Sequence, residues 1–193
     1  GGLLTVLQAA RHPAPVSALV LIDPALPVTV SSPPDALIAA SFGMYVVRPL
    51  GRAMLRARRR VRSPEQLAMD VLGLCCVDRT RVAADVVEQH IEVARARRAY
   101  PDIDEQFLGA ARSLMSMLAR RSSYRATMQP IRVPVLLSHG EEDRLVTVWA
   151  ARAAAAANPS CRFEGAHDVG HVPQVGVPPV TAGRMRDGVA VAV

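Results

Sequence analysis

The sequence predicts an α/β fold in which a parallel sheet is interrupted by a large helical insertion. Three features carry this expectation. A helix-patterned opening runs directly into a short apolar stretch at Ser17–Asp23, bounded by Pro15 and Pro24. A second apolar stretch, Arg132–Gly140, appears late in the chain and leads into a turn and another helical pattern. The region between them, roughly 36 to 126, is helical in pattern and contains no convincing strand. Short, continuous, branched apolar runs suit strands covered on both faces, the arrangement of parallel sheets. A helix leading straight into such a strand fits a crossover connection.

Composition sets the bounds. The chain has 193 residues, of which 50% are hydrophobic and 21% charged, enough for a packed core and unlike a disordered chain. Aromatic residues make up only 4%, so Ala, Val and Leu must fill most of that core. The formal charge is +6, and every basic residue is Arg. Cys75, Cys76 and Cys161 are too few and too scattered for a disulfide scaffold or a four-ligand zinc site. No apolar run approaches the 18 or so residues of a spanning helix. The opening residues carry neither a Met nor a basic leader, so the chain is expected to begin inside a longer protein, with a cytoplasmic location.

The elements follow in order. Leu3 to Ala10 form a helix that His12-Pro13 ends, because proline cannot propagate it. Ser17–Asp23 is the first strand, and 25–35, rich in Pro, Ser and Val, is an irregular linker. One helical segment spans Ala36 to about Arg62. A second starts at Ser63-Pro64-Glu65-Gln66, where Ser can cap, Pro suits the first turn and Gln66 can close a capping box. A third spans about Arg81 to Tyr100. A fourth runs from Asp104 to Arg121, with an apolar stripe of Phe107, Leu108, Ala111, Leu114, Met115 and Leu118. Arg132–Gly140 is the second strand, Glu141–Asp143 an acidic turn, Val148–Ala157 a helix and 161–164 a short third strand. Pro178-Pro179 and weak periodicity predict a poorly ordered tail over 176–193. The expected division is therefore core at 1–24, insertion at 25–129, core again at 130–175, then the tail.

In an open parallel sheet, ligands bind beyond the carboxyl ends of the strands. Asp23 follows the first strand, Asp143 the second, and His167 to His171 the third. A His after one strand can take a proton from a nucleophile while an Asp after an earlier one fixes its tautomer and offsets the imidazolium charge. Spacing alone leaves Asp143 equally readable as a turn residue or helix cap, and His171 as a surface-loop histidine. Arg48, Arg52, Arg56 and Arg60 recur every four residues and form a basic stripe on a helix. Without aromatic residues for base stacking it is expected to be a solvated face, so nucleic-acid and membrane contact are not expected.

Several motifs carry a resemblance. Val133–Val146, Val-Pro-Val-Leu-Leu-Ser-His-Gly-Glu-Glu-Asp-Arg-Leu-Val, and Gly170-His171-Val-Pro-Gln174 are similar to the segments that supply the acid and the histidine of the alpha/beta-hydrolase superfamily. Ala18–Pro24 resembles the core strand before the cap, and Gly1-Gly2-Leu3-Leu4 what directly follows the nucleophile elbow, G-x-S-x-G. The chain thus resembles the C-terminal portion of such a protein, starting just after that elbow. The resemblance implies a partial alpha/beta-hydrolase parallel sheet with an inserted helical cap. It implies Asp143 as triad acid and His171 as base, with Gly1 and Gly2 as the remnant of the elbow. His167, Asp23 and His139 are weaker candidates: a loop residue, a strand terminator and a support for the site. The nucleophile and both oxyanion amides would lie before Gly1.

The implied parent is a serine-type hydrolase of a small, apolar ester or related carbonyl substrate, with the chain as given inactive. No metal or organic cofactor is implied, and the partner is a small-molecule substrate. Dehalogenases, epoxide hydrolases and cofactor-free haloperoxidases share the pattern. A non-catalytic binding or scaffold module with the same fold is the alternative from another class.

Overall fold

In the computed structural model, residues 1–27 and 35–190 are described. Much of the expected linker at 25–35 lies outside them. The chain opens with α1 (Gly2–Arg11) and passes to β1 (Leu19–Ile22). The insertion follows as α2 (Ala36–Val46), α3 (Arg48–Val61), α4 (Pro64–Cys75), α5 (Ala84–Ala96) and α6 (Ile103–Ala119). Then come α7 (Arg121–Met128), β2 (Val135–Gly140), α8 (Val148–Ala156), β3 (Cys161–Ala166), α9 (Pro173–Gly176) and α10 (Pro178–Ala190). The three strands form one parallel sheet in the order β1-β2-β3.

Leu19 pairs with Val135 and Val135 with Cys161, so the strands start in step; β2 and β3 end together and β1 ends two residues earlier, opposite Ser138. Side chains alternate across the sheet. Leu19, Leu21, Val135 and Leu137 point into a core with Val6 and Ala9 of α1, Tyr124 and Met128 of α7, and Ala150 and Ala151 of α8. The opposite face, with Val20 and Leu136, is covered by α10. A Cβ on Gly188 would lie 2.5 Å from Leu136 and 3.3 Å from Val20, so this helix sits almost directly on the sheet. Cover on both faces is why these strands read as unbroken apolar runs rather than alternating ones.

The structure departs from the sequence reading in three places. The segment expected to run from Ala36 to Arg62 is two helices, broken at Val47 in an extended conformation two residues before Pro49. Proline supplies no amide to close the turn, and sits at the start of α3 where none is needed. Second, α7 lies inside the stretch expected to be insertion, yet Tyr124 and Met128 belong to the sheet core and the Tyr124 hydroxyl donates to the Ala25 carbonyl at 3.2 Å. Third, the expected weakly ordered tail is α10 over Pro178–Ala190. Pro178 and Pro179 begin the helix instead of breaking it. The contact is made by Gly188 and by Arg184, which donates to Ser138 Oγ and the Gly165 carbonyl at 3.2 and 3.0 Å. A helix that docks through glycine and arginine presents no apolar stripe.

The insertion is held in part by its charges. Arg48 and Arg52 pair with Glu105, Arg59 with Asp104, and Arg58 and Arg62 with Asp70, tying α3 to α6 and α4. Of the basic stripe, Arg48 and Arg52 reach Glu105 on a neighbouring helix, while Arg56 and Arg60 are exposed. The expected capping box is present at Ser63 and Gln66. Among the described residues, no helix is long and apolar enough to cross a membrane.

Leu137 lies at the centre of the middle strand with no exposed surface. Its truncation removes core contacts from both α1 and α8 sides and leaves a cavity. Leu137→Ala should lower unfolding stability by about 2–5 kcal/mol in urea titrations. An effect below 1 kcal/mol would show that the sheet core is not the main stabilising unit.

Candidate active site

Because the strands are parallel and start in step, their carboxyl ends gather three polar segments at one edge of the sheet. Asp23 follows β1, the turn Glu141–Asp143 follows β2, and the loop 167–171 follows β3. Two glycines allow the segments to meet. A Cβ on Gly140 would lie 2.3 Å from the Gly170 carbonyl oxygen and 2.4 Å from that of Val169. The β3 loop can therefore lie across the end of β2, where Glu142 N–H bonds the Val169 carbonyl at 3.0 Å. A Cβ on Gly170 would meet the Cys75 carbonyl oxygen at 2.3 Å, so the insertion presses on the same loop from the other side.

The central contact joins Asp143 and His171. His171 Nδ1 lies 2.8 Å from Asp143 Oδ2. The Asp143 side chain is fully buried, whereas that of His171 keeps 26% of its surface. Asp143 Oδ1 accepts the amides of Leu145 and Val146 at 2.8 and 3.0 Å, which fixes the carboxylate plane. Burial opposes ionisation of Asp143, but its bonds to His139, His171 and the Val146 amide outweigh that and hold its carboxyl well below the usual range. His171 is fixed at its backbone too: its amide donates to the Cys75 carbonyl at the end of α4, at 2.8 Å. Nδ1 thus faces a buried anion, and Nε2 is the ring nitrogen left to act on another group.

Asp23 and His139 lie behind this pair. Asp23 adopts φ 41°, a left-handed conformation that Asp tolerates better than most residues. The bend turns its carboxylate to the Gly140 amide, 2.8 Å from Oδ1. His139 has no exposed surface. Its Nε2 lies 2.9 Å from the Val146 carbonyl and 3.3 Å from Asp143 Oδ2, and its Nδ1 is 3.7 Å from Asp23 Oδ1. Desolvation pushes the Asp23 carboxyl up to about 6. His139 is also pushed up: burial opposes its charge, but the Asp143 bond and the Asp23 charge prevail.

Asp23, His139 and Asp143 offer ligand atoms within 4.8 Å of one another, the spacing of a metal-ligand cluster. The donor set does not suit a cation. Both Asp143 oxygens are engaged by amides and imidazoles, and Asp23 and Asp143 face different nitrogens of one ring.

The structure brings Asp143, His171, Asp23 and His139 together and leaves His167 outside. His167 is 87% exposed at its side chain, and its nearest acids are Glu141 and Glu142 at 3.7 and 3.9 Å. Gly1 and Gly2 open α1, where a Cβ on Gly2 would meet Pro24 Cβ at 2.6 Å; the start of α1 is packed against the exit of β1. Sequence reasoning missed Cys75. Its contribution is a backbone carbonyl, which no residue type signals. The gap between the Cys75–Asp78 turn and the Asp168–Gly170 loop is only about 10 Å³, room for one water, and Arg81 bridges it to Asp168 at 2.5 Å.

Comparison with known proteins bears on the family and the fold. Residues 1–171 match the model of the family described as serine aminopeptidase, S33. No curated protein matches the chain. Among solved structures, Cfl2 from Burkholderia cenocepacia is 16% identical, with a TM-score of 0.69 over 93% of this chain and 59% of its own. A serine hydrolase from Cycloclasticus zankles is 15% identical, with a TM-score of 0.64 over 99% of this chain and 60% of its own. The meta-cleavage product hydrolase of Pseudomonas fluorescens IP01 is 17% identical, with a TM-score of 0.60 over 97% and 60%. At these identities the likeness is one of fold. The chain spans less than two thirds of the length of each.

The lowered Asp143 carboxyl has a pH consequence with a definite sign. In the unfolded chain it takes a proton near 3.8; in the folded chain it does so only at lower pH. Its contribution to stability is present above about pH 4 and is lost as pH falls. Asp143→Asn should destabilise the chain at pH 7, and thermal melts should show the gap to wild type narrowing as pH falls below about 4. A gap independent of pH would mean that Asp143 stabilises by shape and not by charge.

Proposed function

Since the chain belongs to the serine aminopeptidase S33 family of the alpha/beta-hydrolase superfamily, we propose that it carries the acid and base of a serine-type hydrolase, with Asp143 orienting His171. The observation that supports this best is the 2.8 Å contact between a fully buried carboxylate and one nitrogen of a partly exposed imidazole. That arrangement selects the tautomer with a proton on Nδ1 and a lone pair on Nε2. Nε2 takes the proton of an attacking hydroxyl and returns it to the leaving group; water then clears the acyl intermediate by the same route. Asp143 lowers the cost of the transient imidazolium because its charge is already in place and already desolvated.

The hydroxyl belongs two positions before Gly1 in this reading, on the turn that leads into α1. The tight packing of Gly2 against Pro24 supports it, because an elbow needs its helix start close to the neighbouring strand end. The substrate class is a small ester or related carbonyl compound, and the insertion between β1 and β2 acts as a cap that sets its size and polarity. The apolar content of α2, Ala-Leu-Ile-Ala-Ala-Ser-Phe-Gly-Met-Tyr-Val, favours an apolar substrate.

Residues 1–193 alone should leave p-nitrophenyl butyrate at the buffer rate, and the chain extended upstream through a Gly-x-Ser-x segment should hydrolyse it. In the extended chain, His171→Ala should lower kcat by roughly 10³-fold or more, and Asp143→Asn severely with a smaller change in KM. His167→Ala should cost less than about tenfold, since its side chain lies outside the site. An inactive H167A beside a near-normal H171A would place the base elsewhere. An extended chain that folds yet hydrolyses no ester or amide would favour a binding module with this fold.

A further inference from the structure

We propose that Asp23 and His139 share one buried proton and together position the Asp143 carboxylate beneath His171. Among the described residues neither hydrogen-bonds His171; both act through Asp143. The functional half of this inference rests on the hydrolase reading above, and the protonation half does not.

The argument starts from two polar atoms without partners. Asp23 Oδ2 and His139 Nδ1 are both buried and have no hydrogen-bond partner among the described residues. They belong to side chains that face each other, with 3.7 Å between His139 Nδ1 and the sister oxygen of Asp23. A buried polar atom left unpaired costs roughly 1–3 kcal/mol, and two of them side by side suggest a common solution. The remaining contacts specify which one. His139 Nε2 lies 2.9 Å from the Val146 carbonyl, which can only accept, so Nε2 carries a hydrogen. In the neutral ring Nδ1 is then a bare lone pair, pointed towards a carboxylate. Two acceptors that face each other in a dry site repel, and a single proton between them removes the repulsion.

The charge around the pair points the same way. The groups facing it are Asp143 from the β2 turn, His171 from the β3 loop and, across Asp143, Cys75 from the insertion. Without the shared proton, two buried carboxylates would flank one neutral imidazole. With it, the Asp23–His139 pair has no net charge and Asp143 is the one anion of the cluster. The raised proton affinities of both Asp23 and His139 fit a proton held there.

The shared proton also gives the cluster a direction. His139 Nε2–H then has two acceptors, the Val146 carbonyl and Asp143 Oδ2, the latter at 3.3 Å. Asp143 Oδ2 bonds His171 on one side and lies 3.3 Å from His139 Nε2 on the other, while its Oδ1 is held by two amides. The carboxylate is thus held from both oxygens. Asp23 itself is anchored by the Gly140 amide, within the residue that lets the His171 loop cross β2.

The test combines spectroscopy on this chain with kinetics on the extended one. At pH 7, the side-chain nitrogen shifts of His139 and the carboxyl shift of Asp23 should together account for one held proton. It would appear as a protonated carboxyl or as an imidazole protonated on both nitrogens. An ionised Asp23 beside a singly protonated His139 would overturn the proposal. Asp23→Asn offers a carbonyl oxygen to the Gly140 amide and an N–H to Nδ1, so it should leave His139 singly protonated at Nε2. Its kcat/KM should stay within about threefold of wild type, whereas Asp23→Ala should lose at least about tenfold, mostly in kcat. Asparagine as damaging as alanine, or alanine as active as wild type, would refute the positioning role. If D23A does not fold, the wild-type and D23N spectra still decide. An H171A variant with normal activity would defeat the hydrolase reading while leaving the spectra to settle the proton.

Discussion

The loop after β3 crosses the end of β2 at a separation that leaves no space for a side chain on residue 140. A Cβ there would overlap the carbonyl oxygens of both Val169 and Gly170. Most of the site geometry follows from this approach. It places His171 over the turn that bears Asp143, and it lets Glu142 bond the Val169 carbonyl. It also leaves the Gly140 amide pointing at Asp23. The in-step register of the three strands supplies the other half, because parallel strands that start in step present the loops at their carboxyl ends to one another.

The site is a problem in placing negative charge. Asp143 has no exposed side-chain surface, and a lone carboxylate there would be expensive to ionise. Two amides and two imidazoles change the balance, and they come from three parts of the chain: the segment just after Asp143, β2 and the β3 loop. The anion is therefore built by tertiary structure and does not exist in any local segment. That is the condition under which a carboxylate can stabilise a neighbouring imidazolium, since the desolvation has been met on folding and not during the reaction.

The parts legible in the sequence were those written in local pattern. Ser17–Asp23 and Arg132–Gly140 announced β1 and β2 as continuous apolar runs, and Ser63 with Gln66 announced the start of α4. Asp143 and His171 were legible because each lies in a distinctive run at a strand end; their 2.8 Å contact was not, since it depends on two crossovers closing correctly. The break between α2 and α3 was visible in Pro49 and overlooked because apolar residues continue on both sides. The helix α10 was hidden for a different reason: it meets the sheet through Gly188 and Arg184, which carry no hydrophobic period. The core role of Tyr124 and Met128 was masked by the helical segments that precede them. His139 and Asp23 each read as a minor candidate, because nothing in their spacing shows that they face each other.

The end of α4 meets the His171 loop through one peptide bond on each side, with the Cys75 carbonyl accepting the His171 amide. Gly170 lets the two backbones touch, and the neighbouring gap is barely the size of a water molecule. The seam between insertion and core therefore runs through the very peptide that carries the imidazole. A rigid-body swing of the insertion would have to drag that peptide along or break its hydrogen bond. The Cys75 end of α4 therefore behaves as a doorpost, fixed to the frame that carries the imidazole.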